Sequence, residues 1–219
     1  MKIHKFATVL VLGAFVVAGC AQPMTKTQKG ATYGTAIGAA AGAGLGQAIG
    51  GDTKGTLIGA GIGAVVGGLA GAGIGRYMEQ QEQALQQNFA ASESASIRRD
   101  ADVLAVTFKS DVLFASGSAA LQTGAYQEIE RVSKVLTQYP ETRIMIAGHT
   151  DSDGAEAFNQ DLSVRRAEAV RNALVAQGVS AARVTTMGFG ESQPVADNST
   201  AAGKQLNRRV VITIVPQNA

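Results

Sequence analysis

The chain has 219 residues, 46% of them hydrophobic and 16% charged, with 19 basic and 17 acidic side chains. That leaves room for one medium domain plus appendages. The near balance of charge lacks the basic face of a nucleic-acid binder, and a single cysteine excludes a disulfide framework.

The N-terminus reads as a processing signal. Lys2 and Lys5 give a positive start, Phe6 to Val17 a short apolar core, and Val17-Ala18-Gly19-Cys20 a small-residue close. The apolar run is shorter than the roughly 20 residues a membrane span requires. A close that ends on Cys matches the bacterial lipobox. The expectation is removal of residues 1–19 and acylation of Cys20 with palmitate-type chains as the first mature residue. Two or three such chains anchor stably where one does not. Cleavage takes Lys2 and Lys5 and no acid, leaving 17 basic residues against 17 acidic ones. Ala21 follows the Cys; by resemblance to sorted lipoproteins, the lack of Asp there favours the outer membrane, with the rest of the chain facing the periplasm.

Residues 20–29 form a polar tether. Glycines then fall every fourth position at Gly30, Gly34, Gly38, Gly42, Gly46 and Gly50, and again at Gly55, Gly59, Gly63, Gly67, Gly71 and Gly75. A spacing of four puts each set on one helix stripe. Each ladder spans about 30 Å as a helix, and Gly51-Asp52-Thr53-Lys54 between them is polar enough to turn. Glycine costs a lone helix about 1 kcal/mol per residue, so these helices need an external partner. Glycine stripes allow close backbone approach, so the expectation is a helical hairpin over 30–76 that could self-associate or contact the membrane; the competing reading is a low-complexity, loosely ordered periplasmic segment, since glycine-rich chains lose much entropy on ordering. The segment resembles the glycine zippers of outer-membrane lipoproteins. Residues 77–100 are Gln-rich, with Met78, Leu85 and Phe89 on one helix edge, and read as a polar helical spacer.

Residues 101–219 have globular texture. Strands are expected at Val103–Phe108, Arg143–Ala147, Arg183–Met187 and Val210–Val215, the second continuous in apolar character and so buried on both faces. Ser110 to Leu121 is a loop anchored by Phe114. Ala125, Ile129, Val132 and Leu136 mark a helix ending before Pro140, and Asn159 to Gly178 a second one. The order βαβαβ-β implies an α/β sandwich with crossover connections.

The second helix carries Leu162, Val170 and Leu174 on one line, and the missing member is Arg166. A guanidinium on that face is costly to bury without an acceptor. The turn ahead of the helix supplies Asp151. Such an Arg and Asp in a partly dry pocket can hold a zwitterion, the Asp taking an ammonium and the Arg gripping a carboxylate with two prongs. Arg165 is expected to pair along the surface with Asp161 and Glu168. One of Arg208 and Arg209 could line the pocket. His149 is the one histidine after the signal and reads as a strand-end core residue. Neither a metal set, a nucleophile with its base nor a cofactor fingerprint is present in the sequence.

Leu113-Phe114 with Ser118-Ala119, Gly148-His149-Thr150-Asp151, Asn159-x-x-Leu162-Ser163-x-Arg165-Arg166-Ala167, Gly188-Phe189-Gly190-Glu191-x-x-Pro194, Asp197-Asn198 and Asn207-Arg208-Arg209-Val210 follow the order and spacing of the OmpA-like domain. With the lipobox and ladders, the whole chain resembles OmpA-family outer-membrane lipoproteins. The resemblance implies an OmpA-like α/β sandwich that binds peptidoglycan without covalent bonds, through the diaminopimelate of its stem peptide, tethering outer membrane to wall. It implies Asp151 and Arg166 as the ligand pair, Thr150 and Asn159 beside them, Phe114 shaping the pocket and Arg209 near its rim. One departure is Ala115, where many members carry Asp. The alternative is that the zipper is the working part, membrane-active or oligomeric, and the wall domain only positions it.

Overall fold

The computed structural model describes residues 72–100 and 102–217. Cys20, the processing signal, the tether and the expected hairpin lie outside the described residues, apart from the last few positions of the second ladder.

In chain order the elements are α1 (Ala72–Phe89), β1 (Ala95–Asp100), β2 (Val103–Lys109), α2 (Ser110–Leu113), α3 (Thr123–Gln138), β3 (Thr142–His149), α4 (Glu156–Ala176), β4 (Val184–Gly188), α5 (Ala201–Asn207) and β5 (Arg209–Pro216). The strands form one sheet in the order β1-β2-β5-β3-β4. β3 and β4 are parallel and joined through α4; β5 lies between β2 and β3 and is antiparallel to both. The expected α/β sandwich is therefore present. β5, the last strand in sequence, fills the gap that the β2–α3–β3 crossover leaves.

Alternation along the strands sets the core. Leu104, Val106 and Phe108 of β2, Ile144 and Ile146 of β3, and Val210, Ile212 and Ile214 of β5 share one face and are buried. Ile129, Val132 and Leu136 of α3 and Val170 and Leu174 of α4 join the same cluster. The first half of β3 is not buried on both faces as its apolar run suggested. Arg143 is exposed and Met145 half-buried, because only the helix-covered face is sealed there.

Residues 77–100 differ from the expected spacer. α1 is a helix, but its Met78, Leu85 and Phe89 sit in the core, with Phe89 edge-on to Phe108 at 5.9 Å. Tyr77 packs edge-on to Tyr139 at 5.3 Å, and its hydroxyl accepts from the Glu141 N–H at 3.0 Å. Burying each of the three large apolar side chains is worth about 1.5–3 kcal/mol. Beyond α1 the chain forms an edge strand, β1, pairing Ala95–Asp100 with Val103–Phe108. Ala95 and Ile97 turn inward, while Ser96, Arg98 and Asp100 are exposed.

Candidate functional site

The site forms where the C-terminal ends of β3 and β4 meet the first turns of α4. Gly148 and Gly188 are register partners at those ends. A Cβ at Gly148 would overlap the Ser163 carbonyl of α4, and one at Gly188 would lie 2.5 Å from Ser163 Oγ and 2.6 Å from the Val164 backbone N. Glycine at both positions lets α4 rest directly on the strand ends. Ser163 Oγ then donates to the Gln160 carbonyl at 2.7 Å and accepts from the Gly190 N–H at 2.9 Å. The face of α4 that carries Leu162, Arg166 and Val170 is thereby fixed against the core.

Arg166 is 3% exposed, on the line the sequence assigned to it. Its acceptors are not the expected carboxylate. Nε donates to the Ser118 carbonyl at 2.9 Å and Nη2 to the Ala115 carbonyl at 3.4 Å, and the guanidinium lies 5.2 Å from the centre of the Phe114 ring. A backbone turn, closed by Ser118 N–H to the Ala115 carbonyl at 3.1 Å, aims both carbonyls at it. The loop therefore contributes through its backbone at Ala115, whatever the side chain there. Phe114 is buried, with its ring facing the guanidinium. Among the described residues Nη1 has no hydrogen-bond partner, and it is not fully shut off from solvent. Burial pushes the Arg166 pKa down. Asp111 and then Asp151 act to raise it, and Arg208 acts to lower it.

Asp151 follows β3 and is 7% exposed. Its Oδ2 accepts from Arg208 Nη1 at 2.7 Å, and Oδ1 from the Asp153 N–H at 3.2 Å. Arg208 also reaches Asp111, Nη2 to Oδ2 at 3.3 Å. Bonding to Asp151 and then to Asp111 raises the Arg208 pKa. Two carboxylates and two guanidiniums thus form a cluster of zero formal charge. Asp153 points away and pairs with Lys204 of α5 at 2.7 Å.

Asn159 is buried and braces the turn. Its Nδ2 lies 3.2 Å from the Asp151 carbonyl, 3.0 Å from the Asp153 carbonyl and 2.6 Å from Glu191 Oε2. Thr150 is anchored by its N–H to the Gly190 carbonyl at 2.8 Å, and its buried hydroxyl has no partner among the described residues. Arg209 does not sit at a rim. It is buried and donates to the carbonyls of Asn207 at 3.2 Å and Gln193 at 3.1 Å, and burial pushes its pKa down to about 10. His149, opposite Arg209 in the register, is buried and stacked on Phe189 at 5.2 Å. Burial, and then the charge of Arg209, hold its pKa well below the usual histidine value, so the ring is neutral. The expected Arg165–Asp161 pair is present at 2.8 Å on the exposed side of α4.

Sequence reasoning missed Asp111 and chose Arg209 where the structure puts Arg208 on Asp151. Strand alternation carried the missing signal. Val210, Ile212 and Ile214 face the helices, so Arg208, two residues before Val210, belongs on the side of α4 and Arg209 on the other.

Residues 113–208 match the model of the OmpA family, and residues 1–79 match the YMGG-like Gly-zipper model. The chain is 40% identical over 144 residues to "Probable lipoprotein YiaD" of Escherichia coli (strain K12), covering 66% of this chain and 65% of that protein. It is 44% identical over 107 residues to outer membrane porin F of Pseudomonas fluorescens, covering 49% of this chain and 33% of that one. Against the peptidoglycan-binding protein ArfA of Mycobacterium tuberculosis (strain ATCC 25618 / H37Rv) identity is 38% over 103 residues, covering 47% and 32%. The chain thus spans less than two-thirds of the first relative's length, 65%, and about a third of the other two. Among solved structures, the cell wall anchor of the T6SS from Pseudomonas aeruginosa superposes with a TM-score of 0.57 at 28% identity, covering 62% of this chain and 97% of that one. Residues 113–208 of the chain thus match the OmpA family, and residues 1–79 match a YMGG-like Gly-zipper family.

Proposed function

We propose that this chain binds peptidoglycan non-covalently, gripping the free amino and carboxylate groups of diaminopimelate in the stem peptide between Asp151 and Arg166. The observation that carries the reading is Arg166: a buried guanidinium held on backbone carbonyls, with Nη1 unspent and the Asp151 carboxylate close enough to act on its charge. A group kept charged where burial opposes it marks a candidate site, and Arg166, unlike the buried Arg209, lies near enough to Asp111, Asp151 and Arg208 for their charges to act on it. The zero formal charge of the surrounding cluster suits a zwitterion, which adds no net charge as it enters. The unpartnered Thr150 hydroxyl offers one more polar contact beside Asp151. Asn159 holds the turn and Phe114 the floor. Relatives named as a peptidoglycan-binding protein and as a cell wall anchor support the same reading.

In this account acyl chains on Cys20 fix one end in the outer membrane, the domain faces the periplasm, and the zipper supplies any self-association. The site holds its ligand and does not turn it over. Many copies facing one polymer act at high effective concentration, so modest affinity per site suffices. The test is cosedimentation with isolated sacculi. Asp151→Asn keeps the side chain's size and an acceptor for the Asp153 N–H while removing the charge. The variant should stay in the supernatant where the parent chain pellets; equal pelleting would refute the assignment.

A further inference from the structure

Arg208 occupies the same carboxylate that a ligand's ammonium would need. Its Nη1 lies 2.7 Å from Asp151 Oδ2, and the Asp151 side chain keeps only 9% of its surface exposed. The other end of the fork is already shared with Asp111, at 3.3 Å and 3.5 Å, and Asp111 is half in solvent at 51%. The bond to Asp151 is short and sheltered; the bonds to Asp111 are long and wet. Arg208 itself is 30% exposed and ends a short helix, so its side chain has space to move.

We propose that Arg208 is the specificity-determining residue of the site, an internal cation that Asp151 exchanges for the ligand's ammonium while Arg208 withdraws onto Asp111. The inference rests on the wall-binding reading above and deepens it. An amine without a carboxylate gains at Asp151 only what Arg208 already supplies there, so exchange is close to neutral and binding is poor. A zwitterion gains a second contact, its carboxylate on Arg166 Nη1, which nothing in the free protein replaces. Arg208 thus converts a site that would accept any small cation into one that demands both charges of an α-amino acid head group. Asp111 gives the displaced guanidinium a place to rest, so Arg208 need not be left unpaired beside a second cation.

The experiment is calorimetric titration of the full chain in detergent micelles with meso-diaminopimelate and with cadaverine, the same carbon chain without carboxylates. Arg208→Met removes the competitor. It should tighten diaminopimelate by about tenfold, equal to about 1.4 kcal/mol, and should bring cadaverine binding into the measurable range. Asp111→Asn removes the resting place and should weaken diaminopimelate by about threefold or more in the parent chain, yet not weaken it when combined with Arg208→Met. Arg208→Met that binds diaminopimelate no better than the parent, or still excludes cadaverine, overturns the exchange. So does an Asp111→Asn penalty that persists without Arg208. A parent chain that binds no diaminopimelate overturns the wall-binding reading itself, which separates the two failures.

Discussion

Replacing Arg166 by Met separates a ligand-binding role from a structural one, because the two give opposite readouts. The structural losses are small in number. The bond to the Ser118 carbonyl at 2.9 Å is charge-assisted and worth about 1.5–3 kcal/mol. The bond to the Ala115 carbonyl, at 3.4 Å, is near the limit of a hydrogen bond and adds little. The contact with Phe114 adds about 0.5–1 kcal/mol. Against these stands the desolvation of a guanidinium that is 3% exposed, a cost of several kcal/mol that Met does not carry. The terms nearly cancel, so stability should change by no more than about 2 kcal/mol in either direction, a shift of about 8 °C or less in the melting temperature. Binding should behave otherwise. Removing one partner of a sheltered charge pair costs about 2–5 kcal/mol, or thirtyfold to several thousandfold in affinity. Thermal melting followed by circular dichroism reads the first quantity, and sacculus cosedimentation across protein concentration reads the second. A variant that melts normally and still binds within threefold of the parent would refute the ligand role. A variant that unfolds would show that the guanidinium holds the fold together and that the physical case for the pocket was wrong.

Gly188→Ala should destabilise the chain by about 2–3 kcal/mol, since its Cβ meets the Val164 backbone N at 2.6 Å and α4 must lift off the strand ends; urea denaturation measures it, and a change under 0.5 kcal/mol would contradict the close approach. His149 has a folded-state pKa well below its unfolded value near 6.5, so above that pH it costs nothing and below it only the unfolded chain takes up a proton. Stability should therefore fall as pH drops from 6.5 toward 5, and His149→Asn should remove that part of the slope whatever it does to absolute stability. An unchanged slope in urea titrations at pH 7.5 and pH 5 would place the proton elsewhere.

The α4 face and the main strands were legible because apolar periodicity reports burial directly. Leu162, Arg166, Val170 and Leu174 stand on one buried line, as spacing required. β1 was not legible: Ser96, Arg98 and Asp100 are exposed on an edge strand, so half of its pattern reads as loop. The core role of α1 was hidden by glutamines around Met78, Leu85 and Phe89. At the site, the identity of Arg166 gave its burial but not its partners. Periodicity places a side chain on a face and says nothing of which carbonyls a distant loop turns toward it. Asp111 lies 40 residues before Asp151 in a short helix with no period of its own, and only the folded chain brings both to Arg208. Arg209, adjacent in sequence, went to the other side of the strand and became a buried donor to backbone carbonyls.

A structure of the chain determined with meso-diaminopimelate bound tests the central claim most directly. The ligand's ammonium should lie about 3 Å from an Asp151 carboxylate oxygen and its carboxylate about 3 Å from Arg166 Nη1, with Arg208 turned onto Asp111. A ligand seated elsewhere, or one whose carboxylate leaves Arg166 untouched, would contradict the account.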